Sequence, residues 1–309
     1  MIKIFNSSSG KIRQIDRIED TEKGSWIHVV SPTKKEIDLL ATNLNIEREF
    51  FQYPLDEDEH SRIDQEEEQT LIIVNFPIAI PGGYDTYPLG IIMTDKVIVT
   101  VSAYEPALFN DFMSGKVKTF DTYKKVRFVL QILYRVSALY MTYLRQIGRK
   151  IDYVEEILKT TTKNEELLKM MNINRSLVYL STSLRSNQVV LEKVEKIRHF
   201  RIYEEDLELL EDTLIENRQS MEMTNIYTNI LSGMMEAYAS IISNNLNGVM
   251  KFLTSATIVI MLPTFIASLY GMNVHLPFED NPIAFSGILL ICMIITIIAI
   301  FFFIKKKFF

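Results

Sequence analysis

Asn225, Asn229, Ser232, Glu236, Ser240, Ser243 and Asn247 recur at steps of 4, 3, 4, 4, 3 and 4, so they share one face of a helix. The same stepping runs on through Met250, Leu253 or Thr254, Thr257, Met261, Thr264 and Ser268, where the surrounding sequence has become apolar. The chemistry such a stripe offers is the inner wall of a water-filled pathway, whose oxygens bond the water around a passing ion. Small polar residues also glue packed transmembrane helices together. Continuity over roughly twelve turns favours the pathway. A second candidate is the acidic run Asp56-Glu57-Asp58-Glu59 with Asp64 and Glu66-Glu67-Glu68. Hard divalent cations prefer carboxylate oxygens, but the run lacks the spacing and glycine of an EF-hand loop, and a solvated acidic surface is its plainer use. Catalytic patterns are absent. The histidines His28, His60, His199 and His275 are scattered without HExxH spacing, Gly82-Gly83 makes no phosphate cradle, and there is no GxSxG elbow. The chain is not read as an enzyme, and no organic cofactor is expected.

The elements that must carry the stripe follow from hydropathy and breakers. From about Tyr203 no proline occurs until Pro263, so one very long helix is expected, its first half packing through a seam of Leu207, Leu210, Leu214 and Met221. It runs into an uncharged stretch, Phe252 to Tyr270, and a second uncharged stretch follows from Ile283 to Ile304. Each is long enough for a bilayer core of about 30 Å. Lys251 precedes the first span and Lys305-Lys306-Lys307 follow the second, whereas the connecting loop carries only Glu279 and Asp280. The positive-inside rule puts both termini in the cytoplasm of a multi-pass protein of the plasma (inner) membrane. Two spans per chain cannot enclose a hydrated pathway, so transport requires a ring of copies, the first span lining the axis and the second facing lipid.

Upstream, residues 1–115 read as an α/β cytoplasmic domain with strands Ile2–Phe5, Trp26–Val30, Thr70–Phe76, Leu89–Thr94 and Lys96–Ser102 and a helix capped near Ser31-Pro32-Thr33. Residues 116–248 read as a helical hairpin and stalk helix, and 249–309 as the transmembrane domain: first span about 250–270, outer loop 271–282, second span about 283–304, basic tail 305–309. The fold class is thus an α+β membrane protein. A net charge of -6 over 309 residues excludes nucleic acid as the main partner, because phosphate binding needs clustered cations.

Tyr270-Gly271-Met272-Asn273 at the outer end of the first of two C-terminal spans, with a lysine-ended tail, resembles the CorA family of divalent-cation transporters. Asn247-Gly-Val-Met250-Lys-Phe-Leu253-Thr and Met261-Leu-Pro263-Thr264-Phe-Ile-Ala are similar to that family's pore helix. The resemblance covers the chain well from about residue 200 onward. It implies a homopentamer in a lipid bilayer with Mg²⁺ as cargo and Co²⁺ or Ni²⁺ beside it. Gly271, Met272 and Asn273 would form the selectivity filter. Asn247, Met250, Leu253, Thr257, Met261, Thr264 and Ser268 would line the pore, with Met250 and Leu253 gating by dewetting. Neutral oxygens suffice in such a filter, since Mg²⁺ sheds its water reluctantly and can be held through it. The outer loop departs from the family's usual sequence, and Glu279 and Asp280 are the residues expected to attract cations there. A regulatory Mg²⁺ site is expected at Asp212, with Asp56 and Asp58 as its N-terminal partners. The alternatives are a zinc transporter of the same fold, coupled to protons, and a non-transporting membrane-anchored scaffold or sensor.

Overall fold

A computed structural model describes residues 1–8, 11–117, 119–158, 164–197, 200, 202–272, 283–306 and 308. Seven strands, β1 (Ile2–Ser8), β2 (Lys11–Ile15), β3 (Ser25–Val30), β4 (Arg62–Glu66), β5 (Gln69–Ile80), β6 (Gly83–Met93) and β7 (Val97–Ser102), form one sheet in the order β2-β1-β3-β7-β6-β5-β4. Only β3 and β7 pair in parallel. The two edge strands carry charges, two of five residues in β2 and three of five in β4, and escape the hydrophobic pattern that marks the central ones.

Both faces of the central strands are buried, which is why they read as nearly unbroken apolar runs. On β3, Ile27 and Val29 join one core with Ile37 and Leu40 of α1 (Lys34–Leu44) and Phe50 and Phe51 of α2 (Arg48–Gln52). Helix α1 starts with a capping box: Glu36 N–H donates to Thr33 Oγ1, and the Glu36 carboxylate accepts from Thr33 N–H at 2.7 Å. That bond holds the Glu36 carboxyl below its usual range.

The alternate β3 residues, Trp26 and His28, face the other way. Trp26 is fully buried, its ring stacked on Phe5 (centroids 5.1 Å apart) and flanked by Phe128 (5.2 Å) of α4 (Lys125–Leu158) and Phe109 (5.3 Å) of α3 (Phe109–Met113). Helices α4 and α5 (Asn164–Val194) pack on this second face over β5 and β6. Strand β5 outruns its partner: β4 begins at Arg62 opposite Ile73, leaving Asn75 without a strand on that side. Asn187 of α5 fills the gap, accepting from Asn75 N at 2.8 Å and donating to Asn75 O at 2.7 Å. A side-chain amide thus continues the ladder where the edge strand stops.

Helix α6 (Glu204–Tyr270) is continuous through Pro263, and α7 (Ala284–Lys305) is the second apolar helix. Both are long and apolar enough to cross a membrane. The chain forms two compact units, Met1–Met234 and Met235–Phe309.

Candidate functional site

Within the first unit, α6 buries a face different from the expected leucine seam. Its buried positions are Asp206, Leu210, Thr213, Asn217, Ser220, Thr224 and Leu231, whereas Leu207 is 45% exposed. Most of these residues are small or polar, and two of the hydroxyls are absorbed within the helix itself. Thr213 and Thr224 donate to the carbonyls of Leu209 and Ser220, each at 2.7 Å. Asn217 donates to Leu184 O and Gln188 Oε1 of α5. Asn225 and Asn229 lie exposed, about 100–150° around the helix from these residues.

In the second unit the stripe continues on the exposed side. At about 100° per residue, Met250, Leu253, Thr257, Met261, Thr264 and Ser268 fall within a sector of about 80°, and all six are exposed, Met261 at 66%. The shielded positions Ser255, Val259, Leu262 and Ile266 are centred about 170° away. In α7 the shielded positions are Ile288, Cys292, Ile295, Thr296, Ala299 and Phe303. Where the two helices have their lysine ends, Lys251 Nζ lies 5.9 Å from the Phe308 ring. The small polar residue on the shielded face of α6 is Ser255. It is fully buried, with its hydroxyl bonded to Phe252 O at 2.8 Å. Its signal in the sequence was the 4, 3, 4 spacing to Val259, Leu262 and Ile266. Thr257, Thr264 and Ser268 lie off that face and are exposed.

The threonine hydroxyls in the stripe have spent their protons. Thr257 donates to Leu253 O and Thr264 to Ile260 O, each at 2.8 Å. What they present outward is lone pairs, an acceptor surface that suits the outward-pointing protons of a hydrated cation. Met250 and Leu253 add an apolar belt beside Asn247, which is also exposed. At the end of α6, Gly271 N–H donates to Ala267 O at 3.0 Å and closes the helix, and Met272 is exposed. Asn273, Glu279 and Asp280 lie outside the described residues.

The acidic run is engaged within the chain. Asp56 Oδ1 accepts from Asp58 N, Arg62 pairs with Glu59 and with Asp64 (2.6 Å), and Glu57 accepts from the Tyr104 hydroxyl at 2.8 Å. That last bond, with neighbouring Tyr87, pushes Tyr104 up to about 12. Asp56 and Asp58 are exposed. Asp212, also exposed, borders a hollow of about 520 Å³ with Arg127, Gln131, Arg135, Glu205 and Glu208 rather than with Asp56 or Asp58. Among the described residues of one chain, no three His, Cys, Asp or Glu side chains converge as a metal site. Both Arg127 contacts, to Glu205 (3.2 Å) and Asp206 (3.5 Å), tie the start of α6 to α4.

Comparison with known proteins gives a consistent result. The family model described as CorA-like Mg²⁺ transporter protein matches residues 21–306. A cobalt/magnesium transport protein CorA of Methanocaldococcus jannaschii is 27% identical over 292 residues, 91% of this chain and 90% of that protein. A protein of the same description from Thermotoga maritima is 28% identical over 169 residues, 54% of this chain and 48% of that one. The complete structure of the CorA magnesium transporter from Methanocaldococcus jannaschii shares the fold, with a TM-score of 0.88 at 24% identity over 100% of this chain and 99% of that one.

Proposed function

Since the chain belongs to the CorA-like Mg²⁺ transporter protein family, we propose that it moves divalent cations, Mg²⁺ and secondarily Co²⁺, across a membrane through a ring of identical subunits. The observation that carries this reading is the exposure of the stripe: Asn247, Met250, Leu253, Thr257, Met261, Thr264 and Ser268 share one side of α6 and are all exposed. A lone chain would present these residues to lipid, where Asn247 and the hydroxyls gain nothing. Around a shared axis they line a path for a hydrated ion. Five copies are the number that the family resemblance implies. Both termini lie in the cytoplasm on this reading, supported by lysines at only one end of the helix pair.

In this arrangement the ion meets Asn273 first, loses little or no water there, and is held through its hydration shell by the amide and by the carbonyls of Gly271 and Met272. The thioether and isobutyl groups of Met250 and Leu253 form the narrow apolar stretch, which conducts when wet and blocks when dry. No observation favours zinc as the cargo over magnesium.

The test is Mg²⁺ uptake into vesicles containing the purified full chain. Asn273→Ala is expected to cut uptake at least tenfold while the oligomer keeps its size on a gel-filtration column, tenfold being about 1.4 kcal/mol of lost ion stabilisation. Unchanged uptake by an intact oligomer refutes the filter assignment, and no uptake of any divalent ion by the wild-type chain refutes transport.

A further inference from the structure

We propose that Lys251, Lys305 and Lys306 form a binding site for the phosphate headgroup of an anionic phospholipid, an inference that rests on the membrane-spanning reading of α6 and α7. The three cations come from opposite ends of the sequence of the second unit and are brought together by how the tail folds. Helix α7 ends at Lys305, Lys306 N–H donates back to Phe302 O at 3.1 Å, and Phe308 N–H reaches Phe303 O at 3.0 Å. This reversal lays the Phe308 ring against Phe303, with centroids 5.6 Å apart, and beneath the Lys251 ammonium at 5.9 Å. Phe308 is therefore placed near Lys251, at the start of the first span.

All three lysines are exposed. The other charges of this unit are Lys307 and the acids Glu236, about four turns before Lys251, and Glu279 and Asp280 in the connecting loop. An aromatic face is a weak substitute for an anion at an exposed site, so the Lys251 ammonium has capacity left for a phosphate. Below the lysines the surface is apolar and aromatic: Phe252, Phe301, Phe302 and Ile304 are each more than half exposed. Cationic heads above an uncovered hydrocarbon and aromatic wall match one molecule in charge and polarity, a phospholipid with a net negative headgroup and its chains along the helices. A free phosphate would use the lysines and leave the wall uncovered. Each lysine near an anionic surface contributes about fivefold in partitioning, so three together give on the order of 100-fold preference over a zwitterionic lipid.

The experiment reconstitutes full-length Phe308→Trp in vesicles and measures quenching of the new indole by brominated phosphatidylglycerol and by brominated phosphatidylcholine. Trp26, fully buried in the sheet core, adds a constant background. The expected result is strong preference for phosphatidylglycerol, lost when Lys251, Lys305 and Lys306 are all changed to Gln and retained when all are changed to Arg. Glycerol phosphate in solution should leave the preference intact, and abolition by it would overturn a lipid as the occupant. Equal quenching by both lipids, or a preference that survives the Gln changes, overturns the site while leaving the membrane reading standing. Absence of quenching by either lipid overturns both.

Discussion

Replacing Asn187 by leucine removes the amide that completes the β5 edge while nearly preserving side-chain volume. Asn187 is 3% exposed and makes three bonds: to Asn75 O (2.7 Å), from Asn75 N (2.8 Å) and from Ser61 Oγ (2.8 Å). After the change the Asn75 carbonyl still accepts from the Tyr140 hydroxyl at 2.9 Å. The Asn75 N–H has no such second partner and is left buried. An orphaned buried donor costs about 1–3 kcal/mol, and the other lost bonds add about 1 kcal/mol each. Partly offset by the apolar replacement, the expected loss is about 3 kcal/mol. For a folded unit of this size that lowers the melting temperature by roughly 6–12 °C. The assay is thermal unfolding of the full chain followed by emission of Trp26, which is the only tryptophan and lies at the centre of the same unit. A melt within about 2 °C of wild type would refute the claim that the amide substitutes for a strand. Asn187→Asp provides the control, because a carboxylate can accept from Asn75 N–H but opposes Asn75 O. It should be at least as destabilising at neutral pH and recover as acid protonates it, since the proton restores a donor.

Two further outcomes follow from contacts in the same unit. A Cβ on Gly148 of α4 would lie 2.3 Å from the Tyr227 hydroxyl and 2.7 Å from its Cζ on α6. Gly148→Ala should therefore destabilise by about 1–3 kcal/mol, and Tyr227→Phe in that background should recover part of it. A double mutant no better than Gly148→Ala alone counts against the clash. Glu105 accepts from His28 Nε2 at 3.3 Å, which holds its carboxyl below the usual range. A depressed pKa stabilises above the unfolded value and loses that effect as pH falls through the folded value. Glu105→Gln should thus weaken the chain at neutral pH, and the difference should close below about pH 4. Urea unfolding at neutral and acid pH measures it, and a difference independent of pH would reject the bond.

Much of the architecture was legible because the signals are local. Thr33 with Glu36 three residues on announces the start of α1, Gly82, at a φ of +89°, makes the turn between β5 and β6, and an uncharged 22-residue run makes α7. The edge strands β2 and β4 were not legible, since a strand with one partner and wet faces keeps charged residues such as Arg13, Arg62 and Glu66. The buried face of α6 was misread for a related reason. Thr213, Ser220 and Thr224 look solvent-facing by type, yet two of them close their hydroxyls onto their own helix and become small packing residues.

By itself the sequence determined that a polar stripe runs along one helix into an apolar span and ends at Gly271-Met272-Asn273, because helical period and hydropathy are properties of neighbouring residues. Which side of α6 is covered depends on residues far away in the chain, and only the tertiary structure decided it. Ser255 is buried, while Thr257, Thr264 and Ser268 are exposed. The same holds for Lys251 and Phe308, adjacent in space and far apart in sequence. Periodicity assigns residues to a face, and the burial of that face is set by what the rest of the fold packs against it.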